Sequence, residues 1–244
     1  MRRLFAAILW LPALGSAAGA QQIDLGGLAQ ADGTTVGYII QMFGLLTVLS
    51  VAPGLLIMVT SFTRFVIAFS ILRSGMGLQS TPANLVLISL SLFMTFYVMS
   101  PAIDQAWNSG VQPLMANQIT QQVAVERISS PFRDFMARNV RDKDYDLFAD
   151  LARERGETNL ARDTVDLRVL VPAFMISEIR RGFEIGFLIV LPFLVIDLIV
   201  ATITMAMGMM MLPPTVISLP FKIMFFVLID GWNLLVGSLV RSFN

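Results

Sequence analysis

A chain of 244 residues that is 56% hydrophobic, 14% charged and formally neutral, with a mean hydropathy of +0.74, lies well away from soluble domains, which carry about 25% charged residues. It contains no Cys and no His, which removes disulfides, thiol nucleophiles, thiolate metal sites and the commonest general base. Neutral charge without a clustered basic face excludes nucleic-acid binding, and carboxylates scattered singly outside one polar segment leave no expectation of an enzyme, cofactor or metal centre. Of the 34 charged residues, 20 fall between Asp104 and Arg168, so one polar segment is set into an apolar chain. The pattern predicts an all-α protein: membrane-type helical hairpins with kinked helices and a polar, helical insert.

Residues 1–20 read as a cleavable signal peptide. Arg2-Arg3 is a positive start, Leu4–Leu14 an apolar run of the right length, and Ala18-Gly19-Ala20 places small residues before Gln21. The alternative is an uncleaved first membrane helix, interrupted by Pro12 and Gly15. Residues 21–35 form a polar N-terminal segment with turn signals at Gly26-Gly27 and Asp32-Gly33.

Residues 36–103 are expected to form a first hairpin of two apolar segments. Val36–Thr63 is uncharged and exceeds the ~20 residues needed to cross a bilayer core. Pro53-Gly54 should kink or break it, with Leu55–Leu72 as a second arm. Arg64 and Arg73, with no acid nearby in the chain, mark a cytoplasmic turn around Gly75-Met76-Gly77. Ser80-Thr81-Pro82 offers an N-cap and an early Pro for a helix running to Met99, ended or kinked by Ser100-Pro101.

Residues 104–168 form the polar insert, expected to be helical and periplasmic. Ser129-Ser130-Pro131 reads as a helix start, with Phe132, Phe135 and Met136 on one face. A second helix opens at Asp142 or Asp144, presents Leu147, Phe148 and Leu151 as its apolar side, and stops near Gly156. The alternating charges form either a solvated face or a docking surface for a neighbouring subunit. The run Asp142–Asp146 lacks the Gly and the distal Glu of a calcium loop.

Residues 169–244 are expected to form a second hairpin. Between Ile185 and Val240 the only charges are Asp197, Lys222 and Asp230, while Gly208 and Pro213-Pro214 define a structural turn between two helices. Charges in such surroundings pair, face a cavity or mark a pathway. Glu178, Glu184, Asp197 and Lys222 are the candidates, with Glu178–Lys222 as a cross-helix or cross-subunit pair, either fixing register or serving transport. The turn itself, Met205–Pro214, holds five of the chain's 15 Met. Met209-Met210-Met211 is either a hydrophobic turn at a membrane edge or, around a symmetry axis, a compliant thioether seal. With four spans and a cleaved signal both mature termini are periplasmic, which leaves Arg180-Arg181 against the positive-inside rule.

Several blocks resemble the FliP family of the flagellar type III export gate. They are Pro172–Ile179, Gly182–Phe187, Pro192–Asp197, Gly208–Pro214, Leu219-Pro220-Phe221-Lys222 and Asp230-Gly231-Trp232, with Thr60–Arg64 and Ser100-Pro101 nearer the N-terminus. The family often shows Pro-Pro-Asn where this chain has Pro82-Ala83-Asn84, and the insert carries no matching block. The resemblance implies a pentamer assembling with FliQ and FliR beside FlhA and FlhB, within the MS ring of the basal body in the bacterial inner membrane. It implies a channel wall for unfolded flagellar proteins, with Met209–Met211 as its gasket. Its helices would rise toward the periplasm packed on protein, which would account for their Pro and Gly interruptions and for Arg180-Arg181. Injectisome export subunits are the close alternative. A proton-coupled small-solute carrier using Asp197 and Glu184, and a passive scaffold, are the readings from other classes.

Overall fold

The computed structural model describes residues 33–158, 160–161, 166–208 and 213–243. The expected signal peptide, nearly all of the polar N-terminal segment and Met209–Met211 lie outside these residues. Among the described residues every regular element is helical. The chain divides into two compact units, Met1–Val51 and Ala52–Asn244.

The described part of the first unit belongs to α1 (Gly33–Met58), a 26-residue apolar helix. Its Thr47 and Ser50 hydroxyls donate to the carbonyls of Phe43 and Thr47, both at 2.8 Å, the usual way an apolar helix satisfies a hydroxyl without water. Pro53 lies inside α1 and does not end it, so of the kink or break expected at Pro53-Gly54 the break does not occur. The break falls at 59–61, in the Thr60-Ser61 step before α2 (Phe62–Gly75).

In the second unit, α2 turns at Gly77, whose φ of +80° places it in the left-handed region that Gly occupies without a Cβ penalty. The next helix, α3, begins at Asn84 with Ala83 extended at its cap, so Pro82 sits in the preceding turn rather than in the first helical turn. It passes through Pro101 to Ala106, beyond the expected end at Met99, and continues as a π turn (Trp107–Val111) and the short α4 (Gln112–Met115). The π turn brings Gly110 against α5, where a Cβ would lie 2.5 Å from Ile128 Cγ1.

The insert forms α5 (Gln121–Asn139) and α6 (Asp142–Glu154). Ser129-Ser130-Pro131 is therefore the middle of α5 and not its start, with Pro131 buried. Phe135 and Met136 are buried as expected. On α6 the buried stripe is Tyr145, Ala149 and Ala152; of the expected apolar side Phe148 packs against the core, while Leu147 and Leu151 are exposed. Gly156, at φ +86°, follows the end of α6.

The long element is α7 (Leu167–Ala206), 40 residues opened by Asp166, whose side chain accepts from the Arg168 N–H at 2.8 Å. At 1.5 Å per residue it is ~60 Å long, about twice a bilayer core. One half is thus free to carry the insert while the other half remains long enough to span. Pro172 and Pro192 are both contained within it. Gly208 (φ +73°) follows its end, Pro213 is extended, and Pro214 opens α8 (Pro214–Leu228). Asp230, left-handed at φ +51°, separates α8 from α9 (Gly231–Arg241), and the two helices meet at 64°. Among the described residues, three helices are by length and composition able to cross a membrane, or four if the bent α8–α9 pair counts as one span.

Two apolar cores result. One, beneath the insert, joins Met99, Phe135, Met136, Tyr145, Leu170 and Phe174. The other, among the membrane-type helices, joins Phe65, Phe69, Leu72, Phe193, Phe226 and Leu235.

Candidate functional site

Two buried charge sites lie along the contact between α2 and α7. At the insert end, Arg64 on α2 and Glu178 on α7 are both fully buried. The Arg64 Nε donates to Glu178 Oε2 at 2.9 Å, and Nη2 pairs with Oε1. This is the two-pronged geometry that a guanidinium fork offers a carboxylate. The remaining nitrogen, Nη1, donates to the Ser242 carbonyl at 2.9 Å and hydroxyl at 2.7 Å. The Phe243 ring covers the guanidinium face, 3.5 Å from Cζ to centroid. All three guanidinium nitrogens thus have acceptors, which a buried charge requires if it is to be tolerated.

At the other end of α2, Lys222 on α8 is buried. Its ammonium donates to Asp197 Oδ2 on α7 at 2.6 Å and to the Gly75 carbonyl at 3.1 Å. Gly75 is the last residue of α2, where an orphan carbonyl and the negative end of the helix dipole favour a cation. Ser218, one turn before Lys222 on α8, donates to Asp197 Oδ1 at 2.5 Å.

These contacts replace the expected Glu178–Lys222 pair: within the chain Glu178 is held by Arg64, and Lys222 by Asp197. Arg64 is likewise not a charge marking a cytoplasmic turn, because it is enclosed by protein. A lone cation in a long apolar stretch needs an anion of its own, and that signal could have singled it out. Glu184 is not buried. Its half-exposed carboxylate accepts from Arg180 Nε at 2.9 Å and lies 3.6 Å from Arg141 Nη1. Asp230 is exposed as well and accepts from Asn233 at 3.2 Å.

Between the two charge sites the helices touch closely. A Cβ on Gly75 would lie 2.3 Å from Val190 Cγ2, one on Gly186 2.9 Å from Ile71 Cβ, and one on Gly182 3.1 Å from Ile67 Cβ. Gly182 and Gly186 are one turn apart, the small-xxx-small spacing that lets helix backbones approach. The sequence reading passed over it. The insert docks on α7 beside Glu178: Ser177 Oγ accepts the Arg141 N–H at 3.1 Å and lies 2.8 Å from Asp144 Oδ2 and 2.9 Å from the Ala173 carbonyl. Its single proton can serve one of these acceptors at a time.

Asp197 and Glu184, named for a proton-relay reading, are each engaged by a cation, and no group of three or more metal-ligating side chains occurs among the described residues. The chain is therefore a helical protein with helices able to span a membrane, whose buried charges close on one another inside the protomer. The comparisons with known proteins agree with that class and refine it. The FliP family model matches residues 45–239. The flagellar biosynthetic protein FliP of Agrobacterium fabrum is 71% identical over the whole of both chains, and that of Rhizobium meliloti 67%, again over the whole of both. The Bacillus subtilis protein of the same name is 46% identical over 88% of this chain and 96% of its own. The chain belongs to the FliP family, whose curated members named here are flagellar biosynthetic proteins.

Proposed function

We propose that this protein is a pore-forming subunit of the flagellar type III export gate. It would assemble as a pentamer with FliQ and FliR, beside FlhA and FlhB within the MS ring, to pass unfolded flagellar proteins across the bacterial inner membrane. Family membership over residues 45–239 carries the reading. Its geometry supports it: the buried charges Arg64, Glu178 and Lys222 are spent on contacts within the protomer, and much of the outward surface of the membrane-type helices is apolar. Phe93, Phe96, Phe183, Phe187, Leu198 and Val227 all stand exposed, an arrangement suited to packing on further helices or on lipid.

Met209–Met211 are the gasket in this reading. They join the end of α7 to the start of α8, two helices held together by Asp197, Ser218 and Lys222. Gly208 and Pro213 stand at the ends of the run with backbone conformations that stop one helix and start the next. Unbranched thioethers fill an irregular constriction and still deform around a passing chain.

The test replaces Met209, Met210 and Met211 together by Ala in motile cells. Export of flagellar proteins with a new leak of small ions is the expected result. An unchanged ion seal removes the gasket, and loss of basal-body assembly without a leak favours a passive scaffold.

A further inference from the structure

The chain's last described residues are the least expected part of the Arg64 site. Ser242 and Phe243 follow α9 but remain tied to it, Ser242 N–H donating to the Ser238 carbonyl at 3.1 Å and Phe243 N–H to the Val240 carbonyl at 3.2 Å. From there they complete a site made by two other helices. Ser242 supplies both acceptors for Arg64 Nη1, and Phe243 covers the guanidinium face. The Phe243 ring also stands between two others, 5.8 Å from Phe65 on α2 and 5.8 Å from Phe135 on α5. It packs against both apolar cores, a position it shares with Val98.

We propose that Ser242-Phe243 is an intramolecular latch, docked on the Arg64 guanidinium and joining the insert helix α5 to the membrane-type helices α2 and α9. Three physical terms meet in it. The guanidinium keeps two donors whose nearest acceptors are at the chain end, and an unmet buried donor is destabilising. The flat cation attracts a ring face more strongly when water is excluded. Ring-on-ring contacts to Phe65 and Phe135 add to the area buried. A loss at Phe243 is therefore felt on both sides of the molecule, in α5, whose own sequence lies more than 100 residues away, as well as in α2 and α9. The latch stands independently of the export reading, because it concerns how the protomer holds its insert.

Hydrogen exchange of the purified full chain in detergent tests it. Phe243→Ala should speed amide exchange in α5 around Phe135 by about tenfold, alongside faster exchange in α9. Phe243→Leu keeps apolar volume without the ring, and should give a smaller increase in the same peptides if the Ala variant fails to accumulate. Trp232→Ala, on the first turn of α9, tilted against Phe69 and edge-on to Phe226, is the control and should loosen α8 and α9 while leaving α5 as in the parent. Exchange in α5 that stays at the parent rate in the Phe243 variants overturns the proposal. So does an increase of equal size in Trp232→Ala, which would mark general loosening rather than a latch.

Discussion

The two ends of α2 solve the same problem differently. At the insert end a guanidinium and a carboxylate are sealed completely, with every nitrogen assigned to a protein acceptor and an aromatic ring as a lid. At the hairpin end an ammonium is buried, but the Asp197 side chain it faces keeps 29% of its surface exposed. The lesson is one of tolerance. A sealed pair is inexpensive only while complete, because losing one partner strands the other without water. A pair with one solvated member has a reserve, since water replaces what is removed.

The largest effect should come from breaking the sealed site. Glu178→Ala should lower stability by about 3–5 kcal/mol, read as loss of accumulated protein or a fall in thermal midpoint in detergent. Combining Arg64→Met with Glu178→Leu, which removes both charges and restores volume, should recover much of that loss. A double variant as unstable as the single one would show that packing and not charge is at stake. Lys222→Met should do less, about 1–2 kcal/mol, because the Asp197 carboxylate left behind still reaches solvent. A cost as large as that of Glu178→Ala would erase the contrast between the two ends. The smallest effect belongs to the surface. Arg153→Ala on α6 removes a pair with Asp150 whose members are both largely exposed, and the thermal midpoint should not move measurably.

Much of the architecture was open to reading from the chain. Long uncharged stretches located the membrane-type helices, and the crowding of charge located the insert, because burial and composition are tightly linked. Helix ends were read less well. Pro53 and Pro101 read in the sequence as kinks or ends and Pro131 as a start, yet each lies within a helix. Proline removes one hydrogen bond and crowds the preceding turn, a local cost that helices packed on neighbours can absorb. Of the four charges singled out, Glu178, Asp197 and Lys222 lie in the two charge sites, whereas Glu184 is half exposed and Arg64, read as marking a cytoplasmic turn, is sealed inside. Their pairing was not legible, because Arg64 and Glu178 are 114 residues apart and four charges permit more than one matching. The backbone contact through Gly182 and Gly186 decides which charges meet, since it sets the register of α2 against α7.

That register has a mechanical consequence. α2 is fastened to α7 near its first turn by the Arg64 fork, along its length by side chains pressed onto two glycines, and at its last residue through Gly75 against Val190 and Lys222. Two rods pinned at three points resist sliding and pivoting against each other. They form a strut ~20 Å long that ties the Arg64 site beside the insert to the Lys222 site beside the second hairpin.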